Sequence, residues 1–367
     1  MTRHVVHVLS SFDTGGLQQG VVNLVNHSDP ARFRHSIVSF SPALGMRERL
    51  RRDDVQVESI ALGGLGRLAA ARRLAARLRA LGCDVLHTRN RGTQLDGALA
   101  GVIARVPWRV HGYHGRDLGN ASGERLARRL VGRVAEWAHH RVIALTPAMR
   151  EEYRRDYGVP ARKIAVIPNG VDLERLNAFA PAEALRSPFT VATVGRLDAV
   201  KNLPLLLRAF AAMENRGPED RLVIAGDGPE RPRLEALATE LALPEGAIRF
   251  LGERKDAPAV MKAADLYVQP SFYEGMSNTI VEAMALGVPV LATEVGGNAD
   301  VTGREGAARL VPSDDVAAMR MALEAFRADP ELRRETARRG RERVEGRFTL
   351  ERMVTAYEAV WSRNGTE

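Results

Sequence analysis

Residues 271–290 read SFYEGMSNTIVEAMALGVPV. Ser277 or Asn278 can cap a helix at its N-terminus, and Gly287 can end that helix. Extended apolar residues precede and follow the segment, so a strand is predicted on each side of the helix. A strand, a helix and a second strand in this order are the unit from which parallel α/β sheets are built.

The start of this predicted helix is a candidate anion site. The backbone N–H groups of Met276, Ser277 and Asn278 have no partner within the helix and lie at the positive end of its dipole, which suits a phosphate. Glu274 and Glu282 flank this position. Carboxylates repel phosphate but accept hydrogen bonds from sugar hydroxyls. A ligand with phosphate in the middle and hydroxyls on both sides, such as a nucleotide sugar, satisfies both requirements.

Length and composition bound the class of protein. A chain of 367 residues with 45% hydrophobic content is expected to form two domains, each with a full core. No apolar stretch approaches the length of a membrane span, and the first residues predict a strand rather than a signal peptide. The single cysteine, Cys83, excludes an internal disulfide and a cysteine-cluster metal site, which favours a cytoplasmic location.

The net charge of +8 comes largely from arginines on predicted helices. Residues 67–79 and 125–133 alternate arginine with apolar residues at nearly helical period. A solvated helix face is the favoured interpretation of this pattern. Binding to an anionic membrane surface, such as the inner face of the cell membrane, is the alternative. Nucleic acid is not expected as a partner, because only 5% of residues are aromatic and no zinc or helix-turn-helix signature is present.

Predicted strands and helices alternate along most of the chain, which indicates parallel sheets with crossover helices. The alternation breaks at 176–188, which contains two prolines and no strong periodicity, and it restarts afterwards. Two doubly wound α/β domains are therefore predicted, with ligands bound beyond the carboxyl ends of the strands. The predicted divisions are 1–175 as the first domain, 176–188 as a linker, 189–348 as the second domain, and 349–367 as a C-terminal helix.

Two strand ends in the second half carry candidate ligand-binding residues. A predicted strand ends at Gly195, and Arg196 and Lys201 follow it in the loop before the next helix. An arginine fork and a lysine point charge on one loop suit a diphosphate. Another strand is followed by residues 252–254, where the backbone near Arg254 can meet a nucleobase.

Two strand ends in the first half are further candidates. Gly15 and Gly16 allow the backbone to approach a bulky or charged group closely, or they form a turn. Their spacing is not that of the dinucleotide-binding glycine motif, which argues against a nicotinamide-dependent dehydrogenase. His111 and His114 lie at another strand end, with Gly112 between them, and spacing alone does not choose between the two histidines.

Taken together, these motifs resemble the retaining GT-B glycosyltransferases of family four. The resemblance runs over nearly the whole chain, and its motifs occur in the family's order: Gly15-Gly16, His114-Gly115-Arg116-Asp117, Pro168-Asn169-Gly170-Val171-Asp172, Gly195-Arg196-Leu197 with Lys201-Asn202, and Glu274-x₇-Glu282 with Gly275-Met276-Ser277 between. More loosely, the first half is similar to sugar transferases of exopolysaccharide and exosortase loci. The resemblance implies two Rossmann-like domains that face each other across a cleft, with the final helix crossing back onto the first.

The resemblance also implies roles for individual residues. Arg196 and Lys201 would hold the donor diphosphate and stabilise the leaving group. Glu282 would bind ribose hydroxyls, and Glu274 would bind the donor sugar. His114 would lie near the reacting sugar, and Arg196, Lys201, Glu274 and His114 form the predicted catalytic set. The predicted donor site comprises Gly15, Gly16, Arg196, Lys201, Arg254, Glu274, Gly275, Met276, Ser277, Asn278 and Glu282.

The expected function is transfer of a sugar, with retention of configuration, from a nucleoside diphosphate sugar to a hydroxyl of a saccharide or lipid-linked acceptor. A UDP-sugar is favoured, and neither a metal nor another cofactor is expected, because Arg196 and Lys201 would take the place of the metal. Three alternatives stay open at this point: a nucleotide-sugar epimerase of the same fold, a glycosidase that uses Glu274 and Glu282 as acid and base, and a non-catalytic binding module at a membrane.

Overall fold

The computed structural model describes residues 2–13, 15–115 and 126–363. The chain divides into two compact units. One unit contains Met1–Gly170 together with Leu350–Glu367, and the other contains Val171–Thr349. Each unit has one parallel sheet with helices between successive strands. The predicted class of two doubly wound α/β domains is confirmed.

In the first unit, the described strands pair in the order β3-β2-β1-β4-β5-β6-β7, and all of these pairs are parallel. The strands are β1 Arg3–Leu9, β2 Phe33–Ser39, β3 Gln56–Ser59, β4 Val85–Arg89, β5 Trp108–Tyr113, β6 Arg141–Ala144 and β7 Ile164–Val166. The helices are α1 Gly16–His27, α2 Arg67–Ala80, α3 Arg91–Ile103, α4 Leu126–Ala138, α5 Pro147–Tyr157 and the last helix of the chain, α14, Leu350–Trp361. The strand order reverses between β1 and β4, where this fold class binds ligands.

The core of the first unit follows from the two-residue period of its strands. Val6 and Val8 of β1 pack with Leu74 of α2 on one face of the sheet. Val5 points to the opposite face and lies in the same cluster as Trp361 of α14, which is completely buried. The last helix of the chain is therefore part of the core of the first unit.

In the second unit, the described strands pair in the order β10-β9-β8-β11-β12-β13, again all parallel. The strands are β8 Thr190–Val194, β9 Arg221–Ala225, β10 Ile248–Gly252, β11 Leu266–Gln269, β12 Val290–Thr293 and β13 Arg309–Val311. The helices are α6 Leu173–Asn177, α7 Leu203–Ala211, α8 Arg231–Glu240, α9 Ala257–Lys262, α10 Asn278–Ala285, α11 Asn298–Thr302, α12 Val316–Ala328 and α13 Pro330–Arg347. The order reverses between β8 and β11.

The segment 176–188, predicted as a linker, lies within the second unit. It contains a short 3-10 helix, Glu183–Leu185, and the Leu185 side chain is buried against Val223 of β9 and Val260 of α9. One anchoring leucine leaves no periodic pattern in the sequence, so the apolar contact was not apparent from it. The division between the units falls at Gly170 and Val171, a few residues before the predicted one.

No helix within residues 2–13, 15–115 and 126–363 is both long enough and apolar enough to cross a bilayer.

Candidate functional site

The reversal of strand order in the second unit brings two distant loops together. One loop leaves the carboxyl end of β8 and the other leaves the carboxyl end of β11, and these strands are paired neighbours. The backbone N–H of Phe272 donates to the carbonyl of Val200 at 2.8 Å, which ties the two loops directly. Lys201 and Glu274 are therefore adjacent in space although they are far apart in sequence.

Lys201 and Glu274 form an ion pair at this position. Lys201 Nζ lies 2.7 Å from Glu274 Oε1, and the two side chains are 25% and 11% exposed. The same carboxylate oxygen accepts hydrogen bonds from Gln269 Nε2 at 3.0 Å and from Ser271 Oγ at 2.7 Å. Three donors converge on one oxygen, so the carboxylate has a defined orientation.

A buried network extends from this pair to the first turn of α10. The Tyr267 hydroxyl donates to Gln269 Oε1 at 2.6 Å, and Thr279 Oγ1 donates to the same atom at 3.0 Å. Thr279 Oγ1 also lies 3.1 Å from Ser277 Oγ. Burial raises the pKa of the Tyr267 hydroxyl, which stays a donor. Sequence reasoning missed Gln269, and the available signal was a polar residue at the end of an otherwise buried strand.

Helix α10 begins as the sequence predicts. Of the two candidate caps, Ser277 is the N-cap, and its hydroxyl accepts from the N–H of Ile280 at 3.4 Å. Gly275 and Met276 lie immediately before the cap, and Asn278 is the first helical residue. At the other end, Gly287 has φ of 71° and donates to the carbonyl of Met284 at 3.0 Å, so the glycine ends the helix.

Glu282 lies in the same helix, and its side chain is mostly buried. Burial raises the pKa of the Glu282 carboxyl to about 7, because desolvation disfavours the charged form. The positive charge of Arg175 in α6 opposes this shift. Glu282 therefore changes charge close to neutral pH.

The other two predicted cations have carboxylate neighbours in their own loops. Arg196 Nε lies 3.2 Å from Asp198 Oδ2, and the Arg196 side chain is 72% exposed. Arg254 donates to Asp256 Oδ1 at 2.8 Å and to Asp256 Oδ2 at 2.7 Å. Exposed pairs of this kind contribute little free energy, so a ligand phosphate can compete with either carboxylate.

Two glycines allow the loops of this site to pack closely. A methyl group on Gly226, where φ is 144°, would lie 1.9 Å from the carbonyl oxygen of Gly195. A methyl group on Gly296, where φ is 50°, would lie 1.9 Å from the carbonyl oxygen of Glu274. The N–H of Gly297 donates to that same carbonyl at 2.9 Å. The loop after β12 thus supports the backbone of Glu274.

Gly15, Gly16 and His114, the remaining predicted residues, lie in the first unit. Gly15 precedes α1 in extended backbone, and Gly16 is the first residue of that helix. Gln18 of α1 donates from Nε2 to the carbonyl of Ser11 at 3.1 Å, which closes the loop after β1. These glycines lie at the point where the strand order of the first sheet reverses.

The structure distinguishes the two candidate histidines. His111 is completely buried, and its Nδ1 lies 2.9 Å from Thr88 Oγ1. His114 follows β5 and is only half buried. A methyl group on Gly112 would lie 3.0 Å from His114 Nε2, so the glycine makes room for the ring. Arg116 and Asp117, which complete the His114 motif, lie outside the described residues.

A buried arginine lies close to His114. Arg89 ends β4, is 1% exposed, and has no hydrogen-bond partner at Nε or Nη2 among the described residues. Its guanidinium carbon lies 5.3 Å from the ring centroid of Tyr357. Burial first, and the charge of Arg89 second, hold the pKa of His114 well below its ordinary value of 6.5. The His114 imidazole is therefore neutral.

Family models match both halves of the chain. A family model described as glycosyl transferases group 1 matches residues 177–343, and a model described as glycosyltransferase family 4 matches residues 14–175. A 2-deoxystreptamine glucosyltransferase of Streptomyces kanamyceticus is 31% identical over 69% of this chain and 70% of its own length. The chain belongs to the group 1 glycosyltransferases.

A second relative and a solved structure are also similar to this group 1 glycosyltransferase. An Escherichia coli UDP-Gal:alpha-D-GlcNAc-diphosphoundecaprenol alpha-1,3-galactosyltransferase is 33% identical over 64% of this chain. The chain spans 63% of the length of that relative. The crystal structure of HepE from Anabaena in complex with UDP matches 99% of this chain and 100% of its own, with a TM-score of 0.83 and 22% identity. The predicted GT-B fold is confirmed.

Proposed function

We propose that the protein transfers a sugar, with retention of configuration and without a metal, from a nucleoside diphosphate sugar to a hydroxyl of a saccharide or lipid-linked acceptor. The observation that carries the proposal is the Lys201–Glu274 pair at the strand-order reversal, beside the capped start of α10. A cation, a carboxylate and a helix N-terminus together match the phosphate and hydroxyl groups of such a donor.

A UDP-sugar is the favoured donor. HepE of Anabaena has been solved with UDP and with UDP-glucose, and the E. coli relative is named for UDP-Gal and a diphosphoundecaprenol-linked acceptor. These names support a UDP-sugar and a saccharide or lipid-linked acceptor for this chain as well. The donor diphosphate would bind Arg196 and Lys201, the ribose hydroxyls would bind Glu282, and the sugar hydroxyls would bind Glu274.

The proposed reaction breaks the bond between the anomeric carbon and the diphosphate and forms the new glycosidic bond on the same face. The acceptor hydroxyl gives its proton to the departing phosphate oxygen. Negative charge grows on the diphosphate as the sugar becomes oxocarbenium-like. Fixed cations and the N-terminus of α10 would stabilise this negative charge in the transition state. Neutral His114 would hydrogen-bond the sugar without adding a positive charge near the oxocarbenium.

A donor panel tests the proposal. Thermal shifts with UDP-, GDP- and ADP-sugars should identify the base, because a ligand that binds only the folded state raises the melting temperature by mass action. Transfer with the best donor should proceed in EDTA, and NMR of the product should show the anomeric configuration of the donor. Dependence on added Mg²⁺ would refute the metal-independent step, and an inverted product would refute retention.

Replacing Lys201 tests the assigned site. Lys201→Ala should reduce turnover by about 10²–10³, the usual effect of losing one charge-stabilising group. Lys262→Ala is the matched control, because Lys262 binds the carbonyls of Asn177 and Phe179 in the same unit and has no assigned role at the site. A loss below about threefold in the folded Lys201 variant would contradict the diphosphate role.

We also propose that the first unit binds an anionic membrane surface through α2, α3 and α4, which pack side by side. Trp137 and Val134 of α4 are 91% and 70% exposed, and Val102 of α3 and Leu68 of α2 are also exposed. Helix α2 contains no acidic residue. Among the residues of these helices whose side chains the structure describes, the exposed arginines are Arg67, Arg72, Arg73, Arg79 and Arg133. Arg125, the first residue of the second predicted basic helix, lies outside the described residues.

Vesicle sedimentation tests this surface. Binding should require anionic lipid and weaken with salt, because interfacial binding combines apolar insertion with attraction between charges. Trp137→Ser with Val134→Ser should reduce binding at least tenfold. Met321→Ser, at a 61% exposed apolar position in the second unit, should leave binding unchanged. Sedimentation that is the same with zwitterionic vesicles would dismiss the membrane surface.

A further inference from the structure

We infer that Gln269 is a positioning residue for sugar transfer: its side-chain amide fixes the direction of the Glu274 carboxylate and joins this carboxylate to the first turn of α10. The inference rests on the proposed function and adds to it a residue that contacts neither the predicted phosphate nor the predicted ribose. Gln269 ends β11, next to β8, where the strand order of the sheet reverses.

All four hydrogen-bonding positions of the Gln269 amide are used. Its Nε2 donates to Glu274 Oε1 at 3.0 Å and to Ser271 Oγ at 2.8 Å. Its Oε1 accepts from the Tyr267 hydroxyl at 2.6 Å and from Thr279 Oγ1 at 3.0 Å. A side-chain amide offers two donors and two acceptor lone pairs, so the network has no spare position. Gln269 is 2% exposed, and water therefore does not compete for these bonds.

The orientation of the amide follows from its partners. An ionised Glu274 carboxylate only accepts hydrogen bonds, so the nitrogen of the Gln269 amide must face it. The Gln269 oxygen must then face Tyr267 and Thr279, whose hydroxyls can both donate. Rotating the amide by half a turn would place two acceptors against each other at Glu274. The network therefore has one arrangement, and that arrangement fixes which way the carboxylate points.

Two structural elements meet in this one side chain. Ser271 lies in the loop after β11 and donates to Glu274, whereas Thr279 lies in α10 and contacts the Ser277 cap. A shift of the first turn of α10 would stretch the hydrogen bond from Thr279 to the Gln269 oxygen, and a shift of Glu274 would stretch the bond from the Gln269 nitrogen. Gln269 thereby holds the carboxylate for the sugar and the helix start for the phosphate at a constant separation.

A double-mutant cycle tests this role. Gln269→Met keeps the volume and removes all four hydrogen bonds, and it should lower kcat/KM with the best UDP-sugar about 10- to 100-fold. Affinity for UDP alone, measured by calorimetry, should change less than threefold, because Lys201 and Glu282 remain. In a Glu274→Gln background the same change should cost less than threefold, because the carboxylate that Gln269 positions is already absent.

Two further variants separate this role from damage to the fold. Gln94→Met removes a buried amide of the first unit that bonds Glu136 and Tyr153, so it reports the general cost of such a loss. Gln269→Glu replaces the variant if Gln269→Met does not fold; it keeps the acceptor side, loses the donor, and should show the same loss of transfer. Full activity of either folded Gln269 variant, or an equal loss in both backgrounds, would overturn the inference. A wild-type protein that transfers no sugar would instead overturn the proposed function.

Discussion

Glu274 forms an ion pair with Lys201 in this structure, and this pair leads us to predict opposite effects of one substitution on UDP binding and on sugar transfer. Replacing Glu274 by Gln should tighten the binding of UDP, although the same change should slow sugar transfer. The reason is that Lys201 Nζ, 2.7 Å from the carboxylate, must leave or share that partner before it can bind a diphosphate. Glutamine keeps the shape of the side chain and removes the competing charge.

The magnitude follows from the geometry of the pair. A hydrogen bond to a charged group contributes about 1.5–3 kcal/mol when buried. Lys201 is 25% exposed, so solvent screens part of this interaction, and about 1–2 kcal/mol is the appropriate range. That free energy corresponds to a Kd for UDP that is about 5- to 30-fold lower. Transfer should fall about 10²–10³-fold, because Glu274→Gln removes the charge that is proposed to bind the sugar hydroxyls in the transition state.

Calorimetry with UDP measures the first effect, and kcat/KM with a UDP-sugar measures the second. Glu324→Gln is the matched control, because Arg320 Nη1 lies 2.8 Å from Glu324 Oε1 and the two side chains are 23% and 19% exposed. That pair is similar in length and exposure but lies on α12, and its loss should leave UDP affinity unchanged. If UDP binds Glu274→Gln no more tightly than the wild type, Glu274 does not compete for Lys201 and the reasoning is refuted.

Three further predictions concern buried ionisable groups. The pKa of Glu282 is raised from 4.5 to about 7, so its contribution to folding stability falls as pH rises through this range. In urea unfolding, the free energy of unfolding of Glu282→Gln should therefore decrease less between these pH values than that of the wild type. An equal decrease in both proteins would contradict the prediction. The pKa of His35 is lowered from 6.5 to about 3 by burial, so its contribution to folding stability is present above pH 6.5 and is lost on acidification. A melting temperature that does not fall between about pH 7 and pH 5 would count against this prediction. Arg89→Met removes a buried guanidinium whose Nε and Nη2 have no hydrogen-bond partner among the described residues, and it should stabilise the fold by about 1–3 kcal/mol. Destabilisation measured by calorimetry would show that the contact of Arg89 with Tyr357 outweighs the cost of burying these nitrogens.

Much of the fold could be predicted because its signals are local. Strand and helix periods repeat within a few residues, and Ser277 and Gly287 bound α10 through bonds inside one short segment. Residues 176–188 were predicted to be a linker because they lack the periodic apolar pattern of a strand or helix. This prediction did not capture Leu185, because a single buried leucine depends on the residues that pack against it.

The candidate site divides in the same way. The chemistry of Lys201 and Glu274 was apparent from their residue types and positions at strand ends, but their direct pairing was not. That pairing requires β8 and β11 to be neighbours, which only the strand order decides. The bonds of Arg254 to Asp256 likewise depend on how one loop folds.

Local sequence signals were enough to predict the two α/β domains, the caps of α10 and the kinds of group available to bind a donor. The tertiary fold was needed to show that Gln269 bonds Glu274, that burial raises the pKa of Glu282 to about 7, and that His111 is completely buried whereas His114 is half buried. The difference arises from the sequence separation of the residues that interact. Capping and periodicity act between residues a few positions apart, whereas burial, pKa and a shared hydrogen bond depend on segments that the fold brings together from distant parts of the chain.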